Sequence, residues 1–148
     1  MTAHESGCEL CRTDGGLVVA RIAQLRVVRP DDANFPATYR VVWNGHVAEW
    51  TDLPPEQRSL CMRAVAKVET VLREALVPTK INLASLGNVV PHLHWHVIAR
   101  FDWDSHYPQP VWGTAQRDVE PPAKQRLALG LEALDARIAA AIATMGGD

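Results

Sequence analysis

Half of the chain's six histidines fall within five positions, in Pro91-His92-Leu93-His94-Trp95-His96-Val97. On an extended strand successive side chains point to opposite faces. His92, His94 and His96 therefore share one face, while Leu93, Trp95 and Val97 can anchor the other face to a core. Cationic neighbours on one face repel and add no packing, so a purely structural row of three is disfavoured. Two chemical readings remain, metal binding and phosphoryl chemistry. His92 and His96 stand about 13 Å apart on a strand rising about 3.3 Å per residue. A zinc–nitrogen bond is about 2 Å, so at most two of the three rings can share an ion. An imidazole with an ordinary pKa of about 6.5 is neutral and nucleophilic near neutral pH. A second imidazole can hydrogen-bond phosphate oxygens as charge shifts in the transition state.

The surrounding sequence must place that row on a sheet. Leu17–Ile22 and Leu25–Val28, rich in β-branched residues after Asp14-Gly15-Gly16, read as one or two strands. Tyr39–Trp43 reads as another, closed by Asn44-Gly45. Thr51-Asp52-Leu53-Pro54-Pro55-Glu56 looks like a helix start with a capping candidate and early prolines, and apolar spacing carries the helix to about residue 76 before Pro78. Ile81, Leu83 and Ser85 alternate as a short strand, the Gly87-Asn88 turn follows, and a strand is expected from about His92 to Phe101. Residues 102–121, with Pro108, Pro110 and Pro121 just before Pro122, read as an irregular loop, and Lys124 to Ala143 as a closing helix. The sum is one α+β domain over 1–148, its core at about 8–118 and its C-terminal helix at about 122–144.

The segment His92-Leu93-His94-Trp95-His96-Val97-Ile98 resembles the signature of the histidine triad superfamily, three histidines alternating with hydrophobic residues. The resemblance covers roughly residues 8–101 and takes in Val41 to Leu53, Asn82 and Gly87-Asn88. It implies an antiparallel sheet with a packed central helix, and a nucleotide hydrolase acting on dinucleoside polyphosphates, such as diadenosine tetraphosphate, or on nucleoside phosphoramidates. His94 would be the nucleophile that forms a nucleotidyl-histidine intermediate, His96 would contact the α-phosphate, and His92 would orient the strand or help bind. Asn82 matches a position near the nucleotide, and Asn88 is the polar residue four before the first histidine. Two positions depart from the pattern. Ala99 stands where many members have proline before Arg100, and Val89 replaces a small hydroxyl residue that helps protonate the leaving group in some branches. The acceptor stays open between water and a phosphate or sugar phosphate, as does the alternative of a nucleotide-binding regulatory protein with little turnover.

Cys8-Glu9-Leu10-Cys11 is a Cys-x-x-Cys pair, a weak metal signal by itself. Some histidine triad branches hold structural zinc with such a pair, the histidine of the turn before the helix and the first triad histidine. By resemblance those are Cys8, Cys11, His46 and His92. No organic cofactor is implied, and a homodimer with continuous strand pairing is. The aromatic loop Trp103–Trp112 reads as a lid, a nucleobase wall or packing on the sheet, and His106 as a loop residue.

Composition narrows the partners. A chain of 148 residues, 47% of them hydrophobic, can build one real core. A net charge of −2 gives no general attraction to DNA or RNA, so a small nucleotide is the expected partner. No apolar run reaches the length of a membrane span, and the N-terminus lacks both a basic start and an apolar segment. Three cysteines argue against a disulfide framework and for a cytoplasmic setting.

Overall fold

The β-branched runs form the strands, and the computed structural model describes residues 3–147. The chain runs through a short helix α1 (Glu9–Arg12), strands β1 (Leu17–Arg21), β2 (Leu25–Arg29) and β3 (Thr38–Trp43), the long helix α2 (Pro55–Leu76), strands β4 (Lys80–Ala84) and β5 (His94–Arg100), and helix α3 (Leu131–Ala143). The strands make one antiparallel sheet in the order β1-β2-β3-β5-β4. This is the α+β fold the sequence predicts.

Strand register sorts the side chains onto two faces. Val27 pairs with Val41 and Val41 with Trp95, while Tyr39 pairs with Val97 and Ile81 with Ala99. That face packs on Cys61, Ala64, Val65, Val68, Leu72 and Leu76 of α2, which recur at helical spacing, and on Leu134, Ile138 and Ile142 of α3. Each fully buried aliphatic side chain there contributes about 1.5–3 kcal/mol. Asp135 ties α3 to the sheet by accepting bonds from Arg29 Nε at 2.9 Å and Tyr39 Oη at 2.6 Å. The opposite face carries no helix of comparable length. Its rows are Arg26–Val42–His94, Arg40–His96–Ala84 and Thr38–Ile98–Asn82.

Local structure departs from the sequence reading in four places. The α2 helix starts at Pro55 with Pro54 at its N-cap, and Thr51 caps nothing. It lies in a separate 3-10 turn, Trp50–Asp52, closed by reciprocal bonds between Glu49 and Asp52. Pro54 holds Leu53 extended, which separates turn from helix. The closing segment is not one helix from Lys124. A 3-10 turn at Ala123–Arg126 leads into an extended stretch in which Leu127 and Leu129 alternate toward the core, and α3 begins after Gly130. Leu83 is 45% exposed because β4 is an edge strand whose far side the helices do not cover. Finally, β5 starts at His94, not at His92. The His92 amide turns back to the Val90 carbonyl at 2.8 Å, so the ladder begins two residues later. Residues 101–121 are irregular, as expected, and no helix among the described residues is long and apolar enough to cross a membrane.

Candidate active site

The start of β5 at His94 splits the three histidines into two groups. His94 and His96 lie on the face of the sheet opposite α2 and α3, with ring centroids 5.0 Å apart. Trp95 turns the other way and meets Trp50 edge-on at 5.3 Å. His92 leaves the row. Its Nε2 donates to the Trp43 carbonyl at 2.6 Å, and its Nδ1 lies 3.3 Å from Cys8 Sγ and 3.5 Å from Cys11 Sγ.

His94 sits in a specific tautomer. Its Nδ1 donates to the His92 carbonyl at 2.6 Å, which leaves Nε2 with a free lone pair and, among the described residues, no hydrogen-bond partner. The ring is 8% exposed. Burial holds its pKa below the ordinary value, the bond to His92 works the other way, and the Arg40 charge adds to the lowering. His96 is pushed down to about 4, first by burial and then by the charges of His94 and Arg40. Both rings are therefore neutral at pH 7. Ser85 Oγ donates to the His94 carbonyl at 2.9 Å and fixes that backbone against the end of β4.

Asn82 lies on the same face, and its Oδ1 accepts from Arg100 Nη1 at 3.0 Å. That bond leaves the amide NH2 free as a donor. Arg100 is itself pinned by Asp104, through Nε at 2.8 Å and Nη2 at 3.0 Å, in a pair only 3% exposed on each side. Asn88 is not brought to the histidines. It is exposed in the segment between β4 and β5 and makes no side-chain hydrogen bond among the described residues. Val89, in the place of the hydroxyl residue, is 94% exposed. Ala99 uses the amide that proline would lack, donating to the Ala37 carbonyl at 3.1 Å. In the aromatic loop Trp103 stacks on Phe101 at 4.7 Å, Arg126 lies over Trp103 and His106 meets Phe35 edge-on, while Trp112 is 64% exposed.

The four residues named for zinc do meet. Cys8, Cys11, His46 and His92 place their ligand atoms all within 4.8 Å of one another. Cys11 Sγ to His46 Nδ1 is 3.5 Å. A tetrahedral ion with zinc–sulfur bonds of about 2.3 Å and zinc–nitrogen bonds of about 2.0 Å sets sulfur and nitrogen about 3.5 Å apart. The donor set fits. The carbonyl of Trp43 on the far nitrogen of His92 is the kind of outer partner that orients a ligating imidazole. Arg26 braces the cysteine segment by donating to the carbonyls of Leu10 at 2.7 Å, Thr13 at 3.1 Å and Asp14 at 3.0 Å. Cys61 stands apart in α2, its thiol pushed up to about 12 by burial.

Residues 16–103 match the family model of the HIT domain, well over half of the chain. The chain belongs to the histidine triad family. Among solved structures of the family, a histidine triad protein from Bradyrhizobium japonicum is 28% identical, with 84% of this chain and 89% of that one covered at a TM-score of 0.68. One from Marinobacter aquaeolei VT8 is 25% identical over 89% and 92%, with a TM-score of 0.69. A Zn-bound family protein from Mycobacterium smegmatis shares the fold at 16% identity, 89% and 87% coverage and a TM-score of 0.55. No curated protein matches the chain in sequence. Within the matched domain, Arg26, Arg40 and Ser85 are residues around the two sites that sequence reasoning does not single out. For Arg40 a signal was present: it is the one charge in the otherwise apolar run Tyr39-Arg40-Val41-Val42-Trp43.

Proposed function

We propose that this histidine triad protein is a nucleotide hydrolase that cleaves dinucleoside polyphosphates, such as diadenosine tetraphosphate, or nucleoside phosphoramidates through a nucleotidyl-histidine intermediate. The carrying observation is the free Nε2 of His94, fixed by the bond from Nδ1 to the His92 carbonyl. In the first step the Nε2 lone pair forms a bond to the α-phosphorus, and the leaving group departs with the electron pair of the broken P–O or P–N bond. In the second, water attacks the same phosphorus and gives up a proton to solvent, the P–N bond to His94 breaks, the ring recovers its lone pair and a nucleoside monophosphate leaves. His96, neutral at pH 7, contributes one N–H to a phosphate oxygen. Asn82 presents its NH2, held by Arg100, to a second acceptor of the nucleotide. With Val89 in place of the hydroxyl residue, the chain supplies no hydroxyl acid at that position. This favours leaving groups that depart as stable anions, such as polyphosphates.

Cys8, Cys11, His46 and His92 would hold zinc as a structural ion, the metal borne by the Mycobacterium smegmatis protein. Bound there, it would cross-link the N-terminal segment, the turn after β3 and the approach to β5. A homodimer in the cytoplasm completes the reading. The test is AMP release from a panel of dinucleoside polyphosphates and adenosine phosphoramidates by wild type and His94→Ala. Loss of a covalent nucleophile should lower turnover by about a thousandfold or more. Equal rates would remove His94 from this role.

A further inference from the structure

The strands of this sheet carry five arginines, and four of them are fully accounted for within the chain. Arg21 pairs with Asp14, Arg29 with Asp135 and Arg100 with Asp104. Arg26 spends its donors on three backbone carbonyls and the Asn44 side chain. Arg40 is the exception. Its Nη1 makes one bond of 3.2 Å to the Gly15 carbonyl, and among the described residues it has no carboxylate partner and its buried Nε has no acceptor. Buried donors are nearly always paired, so an orphan beside a functional face calls for an acceptor the protein does not itself provide.

Its position says which acceptor. Arg40 is the direct cross-strand partner of His96, and such partners hold their Cβ atoms about 5 Å apart on the same face. Its charge bears on both His94 and His96, the two rings at the site of attack. A phosphate held at these rings calls for a positive charge close by, and Arg40 lies on their face of the sheet as the cross-strand partner of His96. A guanidinium has the planar, forked donors that suit phosphate oxygens, and it keeps its charge at every working pH.

We propose that Arg40 is a phosphate-binding residue, its guanidinium holding a non-bridging oxygen of the phosphoryl group that His94 attacks, next to His96. The proposal rests on the nucleotide reading above and adds to it the source of charge neutralisation. In this protein an arginine from β3 would match the charge of the anion.

The experiment measures binding of AMP, adenosine and inorganic phosphate to wild type, Arg40→Met and Arg40→Lys by calorimetry or NMR titration. Arg40→Met should bind AMP at least tenfold more weakly while its adenosine affinity stays within twofold of wild type, with Arg40→Lys between the two. Unchanged AMP affinity in Arg40→Met overturns the proposal. So does equal weakening of AMP and adenosine, which would mark Arg40 as a packing residue that braces Gly15. A wild type that binds neither AMP nor adenosine defeats the nucleotide reading instead. The phosphate titration then decides for Arg40: binding lost in Arg40→Met upholds the anion site, and no binding by wild type overturns it. Should Arg40→Met fail to fold, Arg40→Gln and Arg40→Lys give the same comparison.

Discussion

A buried imidazole can serve as a nucleophile only while it is neutral, and the surroundings of His94 extend the pH range over which it is. Burial and the Arg40 charge lower its pKa, and burial with the His94 and Arg40 charges brings His96 to about 4. The sign follows directly. A lowered pKa keeps the base form in place through neutral pH and surrenders it only as the pH falls through the lowered value. The acid limb of kcat/KM should therefore lie below the ordinary histidine value of about 6.5. A limb centred at or above 6.5 in a pH–rate profile would contradict this account. At this scale much of the site was legible beforehand. The alternation of His92, His94 and His96 showed that imidazoles cluster and that one ion cannot hold all three. Spacing alone did not show that His92 departs from the row, because that depends on an amide turning back to Val90 and on two thiols from a segment more than eighty residues earlier. Nor did it show Arg40, whose significance lies in a missing partner, and a missing partner is visible only in three dimensions.

Between elements, two devices fix the approach to β5 and the segment that leaves it, and each predicts a loss. The cluster of Cys8, Cys11, His46 and His92 joins α1, the turn after β3 and the residue two before His94. Protein purified without added metal should carry about one equivalent of zinc per chain. Cys11→Ser should lose it and melt several degrees lower, since structural zinc contributes directly to folding. Zinc below a tenth of an equivalent in wild type would end the metal assignment. Beyond β5, Asp104 grips Arg100 and also accepts amide bonds from Phe101, His106 and Tyr107. Burial by itself would raise the Asp104 pKa, but the bonds from Arg100 and these amides outweigh it and the net shift is downward. A depressed carboxylate stabilises the fold at and above its ordinary value of about 3.9 and loses that contribution as the pH falls below it. Asp104→Asn should cost about 3 kcal/mol in chemical denaturation at pH 7, because Arg100 is left buried without its counter-ion. It should also flatten the acid dependence below pH 4. A difference under about 0.5 kcal/mol would show the pair to be dispensable. The elements themselves were readable from β-branched runs and from the α2 periodicity. The misjudged boundaries at Thr51, Lys124 and His92 are all places where a proline, a glycine or a distant carbonyl ends a pattern that local composition would have continued.

For the molecule as a whole, the open question is the outer edge of β4. The sheet order leaves β1 and β4 without a second neighbour, and the two edges are treated differently. The register of β1 slips between Val18 and Ala20, an irregularity of the sort that twists an edge away from further pairing, and α3 packs beside it. Residues 80–84 keep a regular register with β5, and Leu83 and Leu86 nearby are 45% and 56% exposed. An unblunted strand with apolar flanks is a template for another strand, and a two-fold axis beside it lets one copy supply that strand to the other. The sheet would then run unbroken across both subunits, as the histidine triad resemblance implies. Light scattering behind gel filtration should give twice the 16.3 kDa of one chain for wild type. Leu83→Lys, which sets like charges near each other across the axis, should give the mass of one chain with an unchanged circular dichroism spectrum. A wild type at the single-chain mass would show that the edge stays free. A Leu83→Lys protein that remains dimeric would place the contact on another surface.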